Sequence, residues 1–225
     1  MRRRLALGGA ALALALATAR LAPVVSAAGS VEALVKDDGG RPLADVVVSL
    51  TPSRPAAPTP PAATGVLDQQ NKTFVPHVLA VPVGTPVSFP NRDNIRHHVY
   101  SFSPPKRFEL PLYIGTPAAP VVFDKPGVVV LGCNIHDWMV GYIYVSATPY
   151  FAKTGEDGRA RLGDVPAGAY EARVWHPRMR AEPDKSGKSI TIATGDPGQL
   201  EFVVALKSDR RAPPPPRPEY ERPQS

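Results

Sequence analysis

Short apolar segments, in which hydrophobic and polar residues alternate, run through this chain, and proline or glycine separates most of them. The chain has 28 prolines and 18 glycines among its 225 residues. Both residues are unfavourable inside a helix, proline because it lacks an N–H and glycine because ordering it costs entropy. No window shows a sustained helical period, whereas alternation with frequent turn signals is typical of β-sandwiches. We therefore predict an all-β fold.

The individual strands follow from these segments. Val31 to Leu50 is predicted to form a β-hairpin around the turn sequence KDDGGRP. Two strands are predicted in Phe74 to Phe89 and one in His97 to Phe102, whereas Ser103 to Pro120 is predicted to be a long loop interrupted by proline. Further strands are predicted in VVFDKPGVVVLG, in MVGYIYV and, nearer the C-terminus, in YEARVW, SITI and LEFVVALK.

Residues 1–28 have the layout of a secretory signal peptide. Arg2 to Arg4 form a basic region, Leu5 to Ala19 is an apolar run, and small residues follow up to Ala28. The run is short for a membrane span, and no second run of that length follows, so we predict no stable span in the mature form. We expect export to the periplasm, with an uncleaved N-terminal anchor as the alternative.

The formal net charge of +6 does not indicate a nucleic-acid partner. Four arginines lie within residues 1–28, and the stretch from Lys207 onward holds five basic and three acidic residues. The remaining body is close to neutral, so we predict no nucleic-acid binding. Residues 208–225 are predicted to form a disordered, proline-rich tail, and its PPPP run could alternatively bind a partner as a polyproline helix.

The single cysteine, Cys133, belongs to a Cys-x2-His-x2-Met motif with His136 and Met139. A lone cysteine in an exported protein cannot form an internal disulfide, and a metal bond would protect its thiolate from oxidation. The motif joins two predicted strands, so one short loop can turn three side chains towards one point. A second histidine is available upstream, where His97 and His98 begin a strand.

Two imidazoles, one thiolate and one distant thioether are the ligands of type 1 copper. Structural zinc prefers four cysteine or histidine ligands, and a binuclear copper site would need a second cysteine. Five histidines are too few for the additional coppers of a multicopper oxidase. We therefore predict one type 1 copper, held by Cys133, His136, Met139 and either His97 or His98.

The segment from about Phe74 to Val145 resembles the cupredoxins, and the amicyanin type most closely. Its ligand loop has the same two-residue gaps and is followed by Gly141 and the strand YIYV. Upstream, Asn91, Asp93 and the HHV sequence resemble the family's asparagine, acidic residue and His-Asn-Val. The same stretches resemble cupredoxin-type proteins labelled with methylamine utilisation. The resemblance implies a Greek-key cupredoxin β-sandwich.

In that family motif the histidine comes first, which implies that His97 is the fourth ligand. The chain departs from the pattern at His98, which stands where the family usually has asparagine. A hydrogen bond between His98 and Asn134 could preserve the brace between the two ligand segments.

The flanking segments VEALVKDDGGRPLADVVVSL and KTGEDGRARLGDVPAGAYEARVW resemble two halves of a transthyretin-like, carboxypeptidase-regulatory-type β-sandwich. The resemblance implies that the cupredoxin is inserted in, or joined to, this small Ig/transthyretin-like sandwich. Alternatively, the N-terminal hairpin supplies the first strands of the cupredoxin itself. The predicted organisation is a signal peptide (1–28), the first part of the transthyretin-like sandwich (29–51), a Pro/Ala-rich linker (52–67), the cupredoxin domain (68–147), the second part of the transthyretin-like sandwich (148–207) and the tail (208–225).

These features together predict a periplasmic protein that carries single electrons between redox partners. A c-type cytochrome or a dehydrogenase would dock over a small interface. No general acid, general base or substrate pocket is recognisable, so no enzyme is predicted. The alternatives are a copper carrier or chaperone, which the shortage of methionine disfavours, and a structural or interaction module with an accessory metal site.

Overall fold

The structure is a computed structural model that describes residues 28–54, 63–181, 186–195 and 197–208. The predicted signal peptide, the centre of the Pro/Ala-rich linker and the proline-rich tail lie outside the described residues. The described ranges contain no α-helix, which confirms the all-β prediction. No helix in these ranges has the length and hydropathy to cross a bilayer.

The described residues form 17 strands. In chain order they are β1 (Ala28–Asp37), β2 (Val47–Pro52), β3 (Gly65–Val66), β4 (Asp68–Gln70), β5 (Thr73–Val75), β6 (Val78–Pro82), β7 (Thr85–Ser88), β8 (His97–Ser101), β9 (Phe108–Tyr113), β10 (Val121–Phe123), β11 (Gly127–Gly132), β12 (Val140–Ser146), β13 (Phe151–Lys153), β14 (Arg159–Pro166), β15 (Gly168–Trp175), β16 (Lys188–Ile192) and β17 (Gly198–Val204).

Strands from both ends of the chain form one sandwich, which we call the flanking sandwich. Its two sheets have the strand orders β14-β1-β17 and β13-β2-β15-β16. Alternate residues of these strands, such as Val31, Ala33 and Val35 of β1, point into a core made mostly of aliphatic side chains. Burial of one face of each sheet is what their alternating sequences favour.

The intervening strands form a second sandwich, which we call the inner sandwich. A five-stranded sheet, β6-β12-β11-β8-β9, faces a three-stranded sheet, β10-β7-β3, and β4 and β5 form a separate two-stranded hairpin. Non-consecutive strands lie side by side, as in Greek-key connections, and β12 pairs with β6 in parallel. The core of this sandwich includes Phe74, Phe89, Phe123, Cys133 and Met139.

The predicted hairpin at Val31 to Leu50 is wrong. β1 pairs with β14 and β17, whereas β2 pairs with β13 and β15, so the two strands belong to opposite sheets. A tight turn does follow β1, where the buried Asp37 carboxylate accepts hydrogen bonds from the backbone N–H of Gly39 and Arg41. The chain then crosses the core to the other sheet, because each strand has its own apolar face to bury there.

The long loop predicted between Ser103 and Pro120 is also wrong in part, because Phe108–Tyr113 forms β9. This strand is at the edge of the five-stranded sheet, and within the described residues it pairs only with β8. Pro111 lies within it, and proline is tolerated in an edge strand because one side of the strand needs no hydrogen-bond donor. Because proline is unfavourable in most strands, the sequence of this segment predicted a loop instead.

Candidate metal centre

The loop between β11 and β12 carries three of the predicted ligands. The two strands pair in antiparallel register up to Gly132 and Val140, so the loop begins and ends at one place in the sheet. Within it, the backbone N–H of Met139 donates to the carbonyl of His136 across 2.9 Å. Cys133 and Met139, at the two ends of the loop, are 3% and 1% exposed and belong to the core of the inner sandwich.

His97 reaches the same place from β8, which is the neighbour of β11 in the sheet. Its side chain is fully buried. The Nδ1 atom of His97 lies 3.9 Å from Sγ of Cys133, and Nδ1 of His136 lies 3.9 Å from the same sulfur. One ligand atom from each of these three residues lies within 4.8 Å of the other two.

This spacing fits a bound metal ion. An ion with bonds of about 2.0 Å to nitrogen and about 2.3 Å to sulfur separates the two donors by roughly 3.6–3.8 Å in tetrahedral or trigonal geometry. The two observed separations of 3.9 Å are close to that value. The described part of the chain therefore places His97, Cys133 and His136 where they could hold a metal, with Met139 buried in the same core.

Asp93 fixes the orientation of the His97 ring. Its Oδ2 lies 2.7 Å from Nε2 of His97, which leaves Nδ1 directed at Cys133. A carboxylate on the far nitrogen of a metal-binding histidine sets the tautomer and makes the ligand more basic. The same carboxylate accepts hydrogen bonds from the backbone N–H groups of Asn71 and Lys72, at 2.6 and 2.9 Å.

The hydrogen bonds to Asp93 change the pKa of its carboxyl more than its partial burial does. Burial alone would raise the pKa of this carboxyl, but donation from the backbone of Lys72, the His97 ring and the backbone of Asn71 holds the pKa below its usual value. Asn71 and Lys72 both have positive φ, 53° and 58°, and form the two-residue turn between β4 and β5. A turn of this kind matches the twist of a hairpin.

His136 forms the outer edge of the group. Its side chain is half-buried, and its ring centroid lies 5.0 Å from that of His97 and 5.1 Å from that of Trp138. Burial lowers the pKa of His136, and the electrostatic effects of the neighbouring His97 and Lys72 lower it further. The neutral imidazole, which is the form that binds a metal, is therefore favoured.

His98 does not join this group. Successive residues of a strand point to opposite faces, and the His98 ring contacts Glu109, with Nε2 2.9 Å from Oε1. The hydrogen bond to Asn134 considered from the sequence is not formed in the described part of the chain, where Asn134 is exposed. Asp93 instead ties His97 to the turn between β4 and β5, through the backbone N–H groups of Asn71 and Lys72.

A second polar network lies beneath the site and was not foreseen from the sequence. The phenol of Tyr113, which pairs with His97 across β8 and β9, donates to the carbonyl of Phe89 and accepts from Nε2 of Gln69. Burial raises the pKa of Tyr113 to about 12, despite the hydrogen bond from Gln69. Because Tyr113 lies in the strand that was predicted to be a loop, no sequence signal linked it to His97.

Comparisons with known proteins give partial structural likenesses. The chain matches no protein-family model and no curated protein. A purple cupredoxin from Nitrosopumilus maritimus is 28% identical over 38% of this chain and 100% of its own, with a TM-score of 0.33. A methionine-to-leucine variant of oxidised amicyanin is 22% identical over 36% of this chain and 81% of its own, with a TM-score of 0.34.

A copper-containing nitrite reductase from Thermus scotoductus is 25% identical over 52% of this chain, with a TM-score of 0.35. The matched part of this chain spans only 28% of that reductase. These solved structures are similar to part of the chain, and at such TM-scores the likeness carries no argument about what the chain does.

Proposed function

We propose that this chain is a type 1 copper protein that carries single electrons. One copper would be held by His97, Cys133, His136 and Met139. The observation that supports this most strongly is the convergence of two imidazole nitrogens and one thiol within 4.8 Å, in the core that also contains Met139. Two histidines, one cysteine and a weak thioether are the donor set of type 1 copper.

The donor types favour copper over zinc. Thiolate and thioether are soft ligands that suit Cu(I), and imidazole suits both oxidation states of copper. A structural zinc site would be completed by a fourth cysteine or histidine. In the described part of the chain Cys133 is the only cysteine, and His98 faces Glu109 instead of the site.

The residues around the site suit a centre that changes little when an electron moves. Bound copper supplies a one-electron couple between Cu(I) and Cu(II). His97 is fully buried and held by Asp93, and Asp93 is held in turn by two backbone N–H groups. Side chains fixed in this way cannot rearrange far, so little reorganisation accompanies electron transfer.

The half-exposed edge of His136 is the proposed route for electrons between the site and a docked partner. The partner in this proposal is a redox protein, either a c-type cytochrome or a dehydrogenase, that docks weakly over a small interface. The protein itself is proposed to catalyse no reaction. We also propose export to the periplasm, which rests on the signal-peptide pattern in residues 1–28.

Visible absorption of the mature chain with added Cu(II) tests the metal assignment. We expect an intense blue thiolate-to-copper band in the wild-type protein and its complete loss in Cys133→Ser, since the band requires the cysteine sulfur. Circular dichroism of both proteins shows whether the variant is folded. A weak, pale band that survives the substitution would contradict the proposal.

Repeated reduction and oxidation separates an electron carrier from a copper carrier. We expect the blue band to disappear and return over many cycles with one copper retained per chain, because the ligands are buried. Loss of copper to a chelator in each reduced phase would instead favour delivery. If metal-free protein captured its partner as well as the copper form did, an interaction module would be the better description.

A further inference from the structure

The outer face of the five-stranded sheet, which points away from the inner core, carries a continuous apolar and aromatic strip. The register places Tyr144 opposite Val128, Tyr142 opposite Val130, and Gly132 opposite both Val140 and Tyr100. Residues paired in this way point to the same side of a sheet. The strip therefore runs across β12, β11 and β8.

The flanking sandwich covers one half of this strip. Trp175 is 8% exposed, and its ring centroid lies 5.8 Å from that of Tyr142 and 5.6 Å from that of Tyr144. Val47 and Phe151 of the flanking sandwich belong to the same cluster. This half of the strip is the contact between the two sandwiches.

The other half is open and forms a groove of about 350 Å³, whose lining includes Val130, the residue paired with Tyr142. Phe102 is 74% exposed and Val130 is 43% exposed. The Tyr100 ring packs 5.2 Å from the Phe102 ring and lies directly over Gly132, where a Cβ atom would come within 2.7 Å of Cζ of Tyr100. The absence of a side chain at Gly132 therefore makes room for the Tyr100 ring to form the floor of the groove.

The C-terminal end of the described chain leaves from beside the covered half. The backbone N–H of Lys207 donates to the carbonyl of Arg178, and Nε of Arg178 donates to the carbonyl of Lys207. Arg178 follows Trp175 by three residues, so Lys207 lies at the Trp175 end of β15.

The proline-rich segment is long enough to reach the groove. Trp175 lies over β12, and Tyr100 lies two strands away, at about 4.8 Å per strand. In an extended polyproline conformation, at about 3.1 Å per residue, the chain covers about 15 Å between Ser208 and Pro213. Tyr100 and Phe102 are therefore within the reach of the run Pro213 to Pro216 from the Trp175 end of β15.

We infer that the C-terminal segment Ala212–Pro218 binds intramolecularly in the groove formed by Tyr100, Phe102 and Val130. Proline-rich segments bind aromatic-lined grooves because their backbone is already extended and loses little entropy. Arg217 directly follows the four prolines, and the carboxylate of Glu109, which pairs with Tyr100 across the strands and contacts His98, is 66% exposed on its side chain. A proline-rich segment cannot form a hydrophobic core of its own, but it can cover an exposed apolar surface of the folded chain. The inference requires no metal.

A peptide titration followed by NMR tests this inference. All described strands precede residue 209, so a chain ending at Ser208 keeps both sandwiches. We expect a synthetic peptide of residues 209–225 to shift the amide signals around Phe102 and Val130 of this shortened chain in a saturable manner. The complete mature chain should bind the peptide at least tenfold more weakly, because the tethered segment competes at high effective concentration.

Two controls make the test specific. Phe102→Ser in the shortened chain should weaken peptide binding at least tenfold, whereas Val203→Ser, which removes a similarly exposed apolar side chain from the flanking sandwich, should not change it. A peptide with Pro213 to Pro216 replaced by alanine should also lose binding. The inference fails if the peptide does not bind, if the shifts map elsewhere, or if Phe102→Ser has no effect. It also fails if a second copy of the chain covers the groove equally with and without residues 209–225.

Discussion

The two sandwiches of this protein are built from similar alternating strands but differ in what they bury. The core of the flanking sandwich is mostly aliphatic. Its buried polar groups include Asp37, which closes a turn, and Thr154, whose hydroxyl donates to the carbonyl of the distant Leu43. The inner sandwich buries several aromatic rings together with Cys133, Met139 and His97. Similar strands thus form a purely structural core in the flanking sandwich and a core that contains a polar site in the inner sandwich.

The polar groups of the inner sandwich are linked by successive hydrogen bonds, the last of which reaches the proposed ligand His97. The turn at Asn71 and Lys72 holds Asp93, and Asp93 holds His97. Buried polar groups are costly unless they are paired, so a set that is paired and directed at one point indicates a site. No comparable group of metal-binding side chains occurs elsewhere in the described residues.

The contact between the sandwiches is expected to give the largest effect on stability. Trp175→Ala should lower the free energy of unfolding by about 3–5 kcal/mol, because it removes a nearly buried ring that packs on Tyr142 and Tyr144. Calorimetry should then resolve two transitions, one for each sandwich. Val203→Ala, at an exposed position, serves as the control. A single transition at an unchanged temperature would contradict a stabilising role for this contact.

A pair of matched core substitutions separates stability from metal binding. Leu50 and Leu131 are both fully buried, one in each core, so Leu50→Ala and Leu131→Ala should each cost about 2–5 kcal/mol in denaturant unfolding. Leu131 lies two residues before Cys133, so only Leu131→Ala should also alter the absorption of the copper-loaded protein. Equal changes in absorption would mean that the two cores are not independent.

The role assigned to Asp93 can be tested by comparing two carboxylates, each of which contacts one of the adjacent histidines His97 and His98. Asp93→Ala should lower copper affinity about 10–100-fold, the usual effect of removing the partner of a ligand histidine. Glu109→Ala removes the equivalent partner of His98 and should leave affinity unchanged. Competition with a chelator gives both values. Similar losses in the two variants would argue against a specific role for Asp93.

The smallest expected effect concerns backbone strain in the turn that holds Asp93. Lys72→Gly should raise the free energy of unfolding by about 0.5 kcal/mol, because glycine accepts a positive φ more readily than lysine but loses more entropy on folding. Its backbone N–H still reaches Asp93. Asp164→Gly makes the matched change in the flanking sandwich, where φ is 53°. Only Lys72→Gly should also change copper affinity, since Lys72 acts electrostatically on His136.

The sequence was sufficient to predict the all-β fold, most of its strands, and the three residues His97, Cys133 and His136 that the structure groups together, among the candidate ligands. Alternation marked most strands, and the spacing of Cys133, His136 and Met139 between two strands placed them in one loop. The pairing of β1 and β2 was not predictable, because alternation shows which face is buried but not which sheet a strand joins. The β9 strand was missed because Pro111 is a strand breaker everywhere except at an edge.

The supporting contacts of the site were harder to foresee than its ligands. The orientation of His97 depends on a turn at Asn71 and Lys72, more than twenty residues away in sequence. The different roles of His97 and His98 depend on which face of β8 each occupies, and adjacent residues exchange faces if a strand shifts by one position. The β8–β9 pairing has such an irregularity between His97 and Val99. The domain boundaries given in the sequence analysis stay predictions.

Copper titration of His97→Gln and His98→Gln, followed by visible absorption, tests the central claim most directly. The two histidines are adjacent and both nearly buried, but only His97 faces Cys133. We expect His98→Gln to give the intense blue band at one copper per chain, as the wild-type protein does, and His97→Gln to lose it. The reverse result, or an unchanged band in both variants, would contradict the assignment of His97, Cys133, His136 and Met139 as a type 1 copper site.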